Sequence, residues 1–272
     1  MRKYIFLIII GLTSFSTLKG QIATDNLRRA FDKKDFKTAE SILKDWESRD
    51  AENPELYVAY FNFYTLKSLE KDSTKYDKQY AHKALDYISK GIEHYPTRFD
   101  MRLAKLYMYS QLKYYQPLTT EVIKLIEYSK QIDNNWKRED FRLLDNPDKI
   151  LSGSVLDFQE TLFATGDTSL YKNVIRISDV MIKYYPDNVQ SYLTKSTVYV
   201  TQKAYDKSLE VLLKAKSIEP SNAVLLYNIA EVYKLLNDKD NAKRYFELTV
   251  RHATDKQKQL REEARKQANL IK

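Results

Sequence analysis

The sequence has 272 residues, of which 43% are hydrophobic and 30% charged, with 5 Gly, 6 Pro and no Cys. This composition is typical of a helix-rich protein poor in turn-forming residues, and the absence of cysteine excludes a disulfide framework. The formal charge is +8, of which Arg2, Lys3 and Lys19 supply three. So mild an excess is not the footprint of a nucleic-acid-binding protein, and we expect no nucleic acid among the partners.

Residues 1–20 differ from the rest of the chain. Arg2 and Lys3 precede an apolar run at 4–12, and small polar residues then lead to Gly20. This order predicts a cleavable signal peptide that ends at Gly20. The apolar run is shorter than the roughly 20 residues of a spanning helix, so no stable membrane insertion is expected after cleavage. Because no cysteine is available for lipid attachment, the prediction is a periplasmic or secreted protein; an uncleaved anchor is the alternative.

Residues 21–136 predict a series of degenerate helix pairs. The run 55–69 contains five aromatic residues within eight positions, which is typical of a helix buried on all sides. Thr97 and Asp100 have the spacing of a capping box and predict the start of another helix. These segments share helical spacing of apolar residues, although their connections differ in length.

The stretch 137–154 interrupts the helical rhythm and predicts an irregular connection. It contains Asp145-Asn146-Pro147-Asp148, which predicts a turn or a helix start, and one of the few glycines, Gly153. A loop between repeats is the simpler interpretation, and a hinge between two helical halves is the alternative. Helical spacing resumes from residue 155.

The stretch 189–254 contains one pattern twice, 34 positions apart. In each copy, apolar residues at 3.6-residue spacing predict two amphipathic helices, and small residues mark the places where the helices cross closely. The first copy carries Tyr192, Ser196, Tyr199, Ser208, Leu212, Ala215 and Pro220. The second copy carries Leu226, Ala230, Tyr233, Ala242, Phe246, Thr249 and Thr254 at the matching positions.

This 34-residue period, with small residues at fixed places, resembles the tetratricopeptide repeat (TPR). The resemblance implies an all-α fold, a right-handed superhelical solenoid of antiparallel helix pairs. TPR repeats would then span 155–254 and be clearest at 189–222 and 223–254. The charged segment 255–272 predicts a C-terminal capping helix, since the last unit of a solenoid needs a polar outer face. A basic tail for an acidic partner is the alternative.

The resemblance also implies where a ligand would bind. In TPR proteins the first helix of each repeat lines a concave face, and fixed positions of that helix contact the ligand. Carried onto this sequence, these positions give a concave binding face of Arg98, Arg102, Lys105, Tyr109, Gln190, Thr194, Thr197, Thr201, Tyr227, Asn228, Glu231 and Lys234. The three cations Arg98, Arg102 and Lys105 share one helical face and could clamp a carboxylate; ordinary solvated cations are the alternative.

No motif in the sequence predicts catalysis. The three histidines fall in different predicted helices, and there is neither a Gly-rich phosphate loop nor a cysteine nucleophile. We therefore expect no catalytic, cofactor-binding or metal-binding residues, and a protein that is not an enzyme.

The function implied by the resemblance is a non-catalytic scaffold or adaptor in the cell envelope, which binds a protein or peptide segment in its concave groove. Two alternatives stay open. One is a carbohydrate-handling accessory protein of the envelope. The other is a cytoplasmic regulatory or nucleic-acid-binding helical repeat protein.

Overall fold

The computed structural model describes residues 18–72 and 74–271. These residues form α-helices and two short 3-10 helices, without a β-strand among them, and the fold is therefore all-α as predicted. None of the described helices is both long and apolar enough to cross a membrane. Most of the predicted signal peptide, residues 1–17, lies outside the described residues, and its cleavage stays a prediction.

The chain divides into two compact units. Unit 1 comprises Met1–Glu121 and Tyr128–Ile150, and unit 2 comprises Val122–Glu127 and Leu151–Lys272. The first six helices are α1 (Leu18–Asp32), α2 (Phe36–Arg49), α3 (Pro54–Ser68), α4 (Lys78–His94), α5 (Phe99–Gln111) and α6 (Tyr115–Gln131). The remaining helices are α7 (Pro147–Phe163), α8 (Tyr171–Tyr184), α9 (Val189–Thr201), α10 (Tyr205–Ile218), α11 (Ala223–Leu235), α12 (Lys239–His252) and α13 (Lys258–Leu270).

Helix α3 lies at the centre of unit 1. Its residues Leu56, Ala59 and Phe63 pack with α1 and α2, while Val58 and Phe61 pack with α4 and α5. The aromatic helix predicted at 55–69 is thus buried on opposite sides, as its all-round apolar sequence indicates. Consecutive helices from α1 to α5 pack against each other, which is the nearest-neighbour packing of a helical repeat.

Gly91 allows α4 to approach two neighbouring helices closely. A Cβ atom at this position would lie 2.9 Å from Cβ of Tyr57 on α3 and 3.1 Å from Sδ of Met101 on α5. The backbone of α4 can therefore lie against both neighbouring helices only because residue 91 has no side chain.

Two degenerate pairs of unit 1 share the turn geometry of the strong repeats. The turns between α1 and α2 and between α5 and α6 contain Lys34 (φ 54°) and Lys113 (φ 58°), and those of the strong repeats contain Lys203 (φ 58°) and Asn237 (φ 61°). In each case the next N–H donates to a carbonyl five residues earlier, at 2.8 to 2.9 Å. This left-handed helix ending fixes the direction of the second helix. The α1/α2 and α5/α6 pairs are thus built like the clear repeats.

Residues 132–146 form an irregular segment that packs onto the start of α5; we call it the strap. Its Lys137 N–H donates to Thr97 O at 2.9 Å, and Phe99 N–H donates to Lys137 O at 3.2 Å. Trp136 is fully buried, and its indole N–H donates to Ser129 Oγ at 2.7 Å. The strap thus covers one side of α5 in unit 1.

The irregular connection predicted at 137–154 is shorter in the structure. Helix α7 begins at Pro147, eight residues before the helix predicted from 155. Proline is well suited to the first turn, where its missing N–H has no partner to lose. Gly153 therefore lies inside a helix and is not part of a loop.

Unit 2 contains the two strong repeats, α9/α10 and α11/α12. The small residues predicted at the helix crossings are all buried there, and Ser196 and Ser208 hydrogen-bond across the first crossing at 2.7 Å. Ala230 and Ala242 occupy the corresponding crossing of the second repeat. Helix α13 packs against α12 through Ala264 and Ala268, in the place predicted for a capping helix.

Candidate functional site

Eight of the twelve predicted binding residues lie on α9 and α11 in unit 2. The side chains of Asn188 and Asn222 accept hydrogen bonds from the backbone N–H groups of Ser191 and Leu225. Helices α9 and α11 therefore both start from a capped position in the same register. Helix α9 contacts α11. We call these eight residues the unit-2 face: Gln190, Thr194, Thr197, Thr201, Tyr227, Asn228, Glu231 and Lys234.

The α9 half of the unit-2 face carries no formal charge. The hydroxyl of Thr194 donates to Gln190 O, that of Thr197 to Leu193 O, and that of Thr201 to Thr197 O, at 2.9 to 3.0 Å. Thr197 and Thr201 are exposed. Because the hydroxyl hydrogens are used within the helix, this half offers methyl groups and acceptor lone pairs to a ligand.

The α11 half of the unit-2 face is charged and connects to α13. Lys234 Nζ lies 3.0 Å from Glu231 Oε2 and 3.1 Å from Gln267 Oε1 of α13. The amide of Asn228 donates to Val224 O at 2.7 Å. Helices α9, α11 and α13 thus follow one another across unit 2.

Tyr227 lies half-buried beside two carboxylates. Burial raises the pKa of its hydroxyl to about 12, and the negative charges of Glu231 and Glu263 add to this shift. Its ring packs edge-on against Phe246 at 5.5 Å between centroids. The phenol stays protonated at neutral pH, and its hydroxyl donates to the Glu231 carboxylate.

Arg98 is not an exposed groove residue, and the structure corrects this prediction. Its side chain is fully buried; Nη1 lies 2.7 Å from Glu55 Oε1 on α3, and Nε and Nη2 donate to the carboxylate of Asp100 at 2.8 Å. The Phe141 ring of the strap covers the guanidinium, with its centroid 5.4 Å away. Arg98 therefore joins α3, α5 and the strap and cannot reach a ligand.

The buried charges of this cluster shift each other's pKa. Burial raises the pKa of the Glu55 carboxyl to about 7, although the positive charge of Arg98 acts in the opposite direction. Burial also disfavours the charge of Arg98, but the hydrogen bonds and charges of Asp100 and Glu55 outweigh it and raise the Arg98 pKa. The Arg98 guanidinium therefore stays charged, and Glu55 is the member of this pair that takes up and releases a proton near neutral pH.

The capping box predicted from Thr97 and Asp100 does not form. The N-cap position of α5 is Arg98, which makes no side-chain cap bond, because the Asp100 carboxylate accepts from its guanidinium instead. The strap then supplies a partner for the N–H of Phe99 through the carbonyl of Lys137. A backbone contact from a distant segment thus replaces the local cap.

The other three predicted residues of unit 1 are also held by neighbours. The guanidinium of Arg102 lies 4.3 Å from the Tyr128 ring centroid, and its Nε donates to Pro96 O at 3.0 Å. Lys105 Nζ lies 3.3 Å from Glu121 Oε2, and it also lies over the ring of Tyr109. Their roles in ligand binding stay predictions. Unit 1 does not offer Arg98, Arg102 and Lys105 as three free cations that could clamp one carboxylate.

The sequence interpretation missed the contribution of α13. Glu263 and Gln267 of this helix border the unit-2 face, and Gln267 Nε2 donates to Glu263 Oε1 at 2.7 Å. A signal was present, because Ala264 lies 34 residues after Ala230 and continues the small-residue register. Helix α13 thus takes the position of the first helix of a further repeat.

The described residues include no group of three or more His, Cys, Asp or Glu placed to hold a metal ion. His82 lies 3.2 Å from the hydroxyl of Tyr114, and His94 stacks on Tyr57. Both imidazoles therefore contact tyrosines on helix surfaces of unit 1.

Comparison with known proteins identifies the repeats. A sequence profile described as Tetratricopeptide repeat matches residues 189–222 and 223–250. Helix pairs α9/α10 and α11/α12 account for these residues. The chain is thus a helical-repeat protein, and the particular repeat in unit 2 is the tetratricopeptide repeat. No curated protein matches the sequence.

Several solved structures are similar at low sequence identity. YrrB, described as a TPR protein with an unusual peptide-binding site, is 13% identical, with 82% of this chain and 97% of that chain covered and a TM-score of 0.44. A thermophilic TPR protein from Thermus thermophilus is 13% identical, with 77% and 100% covered and a TM-score of 0.42. A tetratricopeptide repeat protein from Parabacteroides merdae is 14% identical, with 92% of both chains covered and a TM-score of 0.40.

Proposed function

We propose that the protein is a non-catalytic scaffold that binds a segment of another protein across the unit-2 face. The observation that carries this proposal is the arrangement of three helices in unit 2: α9 contacts α11, and Lys234 of α11 contacts Gln267 of α13. A tetratricopeptide repeat is a protein-binding fold, and in such folds the first helices of the repeats are the helices that meet the partner.

The apolar residues beside the unit-2 face suit a contact with a protein chain. Val224 and Leu235 on α11 are 40% and 43% exposed, although the other aliphatic residues of this helix are buried. Leu193 and Val200 lie half-buried on α9. Apolar contacts at these four positions would supply affinity, and the polar groups between them would orient the bound segment.

Burying the polar groups of the unit-2 face under a partner costs little free energy. The threonine hydroxyls and the Asn228 amide already donate to carbonyls of their own helices. Burying a polar group that has a partner costs much less than burying one without. The face can therefore be covered by a helix or an extended segment without leaving unpaired donors.

Site-specific photo-cross-linking tests this proposal. A photoreactive amino acid is placed at Thr197 or Asn228 on the face, and at Lys207 or Lys243 on the second helices as matched control positions. Irradiation of the cells that make the protein should give one discrete protein adduct from the face positions and none from the control positions. Equal adducts from both sets, or adducts only from Lys207 and Lys243, would contradict the proposal.

We also propose that the scaffold acts outside the cytoplasm, in the periplasm or as a secreted protein. The support for this is the order of charges and apolar residues in 1–20. N-terminal sequencing of the protein from its own cells should begin at Gln21. A protein that retains Met1 in the cytoplasm would refute export and leave the binding proposal standing.

A further inference from the structure

The strap covers the part of α5 at which the repeat position predicts a ligand. The Phe141 ring lies over the guanidinium of Arg98, and the Trp136 ring centroid lies 5.3 Å from the guanidinium of Arg102. Arg98 and Arg102 are both predicted binding residues. The strap therefore occupies a surface that a partner would use, and its displacement would uncover this part of α5.

The backbone attachment of the strap to α5 is short. Among the described residues it consists of two hydrogen bonds, from Lys137 N–H to Thr97 O at 2.9 Å and from Phe99 N–H to Lys137 O at 3.2 Å. Phe141 has a left-handed backbone conformation, with φ at 60°, which is costly for a bulky residue, and its side chain is 43% exposed. A segment attached in this way can open locally while the helices around it stay folded.

Arg98 connects the strap to a buried carboxylate, that of Glu55 on α3. The Glu55 side chain is 5% exposed, and Arg98 Nη1 lies 2.7 Å from its Oε1. Neither Glu55 oxygen accepts a well-aligned hydrogen bond within the described part of the chain, because the guanidinium directs Nε and Nη2 at Asp100. An ionised Glu55 is therefore poorly compensated while the strap is closed.

The charged groups that face Glu55 are mostly acidic. Asp100 on α5 and Glu139 on the strap both act on it with like charge, and Arg98 is its ion-pair partner among the described residues. The closed strap thus brings a further carboxylate towards one that is already buried. Burial raises the pKa of Glu55 to about 7, and the charges of Asp100 and Glu139 act in the same direction.

We propose that the strap is a pH-controlled cover of α5, which is closed while Glu55 is protonated and opens more readily once Glu55 is ionised. Opening lets water reach the Glu55 carboxylate and moves Glu139 away from it, so ionisation costs less free energy in the open state. The open state uncovers Arg102 on α5. This inference concerns unit 1 and is independent of the binding proposal for the unit-2 face.

The direction and the range of the pH dependence follow from the two states of Glu55. The closed state binds the Glu55 proton more tightly than the open state, in which the solvated carboxylate titrates near its ordinary pKa of 4.5. The ratio of open to closed chains should therefore rise roughly 10- to 100-fold between pH 4.5 and 7.5 and be constant above that range.

Hydrogen exchange of single amides, followed by NMR in the parent chain, tests this inference. The amides of Lys137 and Phe99 form the two hydrogen bonds of the attachment and exchange when the strap opens. The amide of Phe61, inside α3, reports the unfolding of unit 1 as a whole. After correction for the intrinsic pH dependence of exchange, the opening ratio at Lys137 and Phe99 should exceed that at Phe61 and show the predicted rise.

Three variants separate Glu55 from other groups that titrate. Glu55→Gln keeps the side-chain shape without the charge and should abolish the rise. Asp145→Asn removes a strap carboxylate whose side chain is 82% exposed and should keep the rise. Histidine also changes charge near neutral pH, and His94 of α4 stacks on Tyr57 of α3; His94→Gln should keep the rise as well.

The remaining outcomes would overturn the inference. Equal opening ratios at Lys137, Phe99 and Phe61 would show that the strap opens only when unit 1 unfolds. An opening ratio that does not change between pH 4.5 and 7.5 would contradict control by Glu55, as would a rise that Glu55→Gln keeps or that His94→Gln abolishes. Each of these results leaves the binding proposal for the unit-2 face in place.

Discussion

Arg98 in unit 1 and Gln190 in unit 2 have the same predicted repeat position, but the structure places Arg98 at the N-cap of α5, the position that Asn188 holds in α9. Gln190 is exposed at the start of α9, whereas Arg98 is fully buried between α3, α5 and the strap. The difference lies in a segment that only unit 1 has: residues 132–146 pack over α5 and cover its N-terminus. Repeat position therefore predicts an exposed residue only where the first helix is left uncovered.

The strap also changes what the polar residues of each unit do. In unit 1 the cations of α5 are bound to Glu55, Asp100, Glu121 and aromatic rings, and they hold helices together. In unit 2 the threonine hydroxyls of the unit-2 face donate to carbonyls of α9 itself, and Thr197 and Thr201 stay exposed. Polar residues of unit 1 thus hold helices together, whereas those of the unit-2 face stay at the surface that we propose for recognition.

Replacing Arg98 by Ala should have the largest effect on stability. It leaves the Glu55 carboxylate buried without its cation, and we expect a loss of about 3 to 5 kcal/mol in the free energy of unfolding. Urea denaturation measures the loss, and Arg138→Ala is the control because its pair with Asp145 is exposed. Equal midpoints for the two variants would show that Arg98 is not the buried link described for unit 1.

The pH dependence of stability should reveal the same cluster. The Glu55 pKa is raised from an ordinary value of 4.5 to about 7 in the folded chain, so the folded state binds this proton more tightly than the unfolded state. The free energy of unfolding should therefore fall by about 1 to 3 kcal/mol as pH rises from 4.5 to 7.5, with no further loss from Glu55 above that range.

Glu55→Gln is the matched variant for this measurement, since glutamine has a similar shape and does not titrate. The difference in unfolding free energy between parent and variant should change across the interval from pH 4.5 to 7.5 and be constant above it. A difference that is constant throughout would mean that Glu55 does not take up a proton in unit 1.

Gly91→Ala should weaken the close helix packing of unit 1. The added Cβ meets the backbone-proximal Cβ of Tyr57 at 2.9 Å, so α3 and α4 must move apart. Overpacking of this kind costs about 1 to 3 kcal/mol. Thermal unfolding followed by circular dichroism would show a lowered midpoint; an unchanged midpoint would place α4 further from α3 than the structure has it.

Gly153→Ala should have the smallest effect and the opposite sign. Gly153 lies within α7 in unit 2, and a Cβ there would meet nothing within 4 Å. Replacing an unhindered helical glycine by alanine stabilises by about 0.5 to 1 kcal/mol. A destabilised variant would indicate that residues 147–154 are irregular, as the sequence had suggested.

Much of this fold follows from local sequence. The 34-residue offset and the small residues Ser196, Ser208, Ala230 and Ala242 together predict both strong repeats, because each signal reports a contact between neighbouring helices. The aromatic run of α3 likewise predicts its burial. These features depend on residues close in sequence, which a periodic pattern records.

The strap and its effect on Arg98 could not be predicted in this way. Trp136 and Phe141 reach α5 from about 40 residues away, through single backbone bridges that have no period. A buried arginine also breaks the rule by which charged positions of a helix are assigned to solvent. The position of α13 beside the unit-2 face could have been predicted, since Ala264 continues the small-residue register. The charged sequence of α13 favoured a capping role instead.

Chemical labelling at single cysteines would test the role of the unit-2 face most directly, because the natural chain has no cysteine. Thr197→Cys and Asn228→Cys lie on the face, and Lys207→Cys lies on α10 as the control. The partner identified by cross-linking, added at saturation, should slow thiol modification at the first two positions and leave the third unchanged. Protection of Lys207→Cys with free reaction at Thr197→Cys and Asn228→Cys would contradict binding at this face.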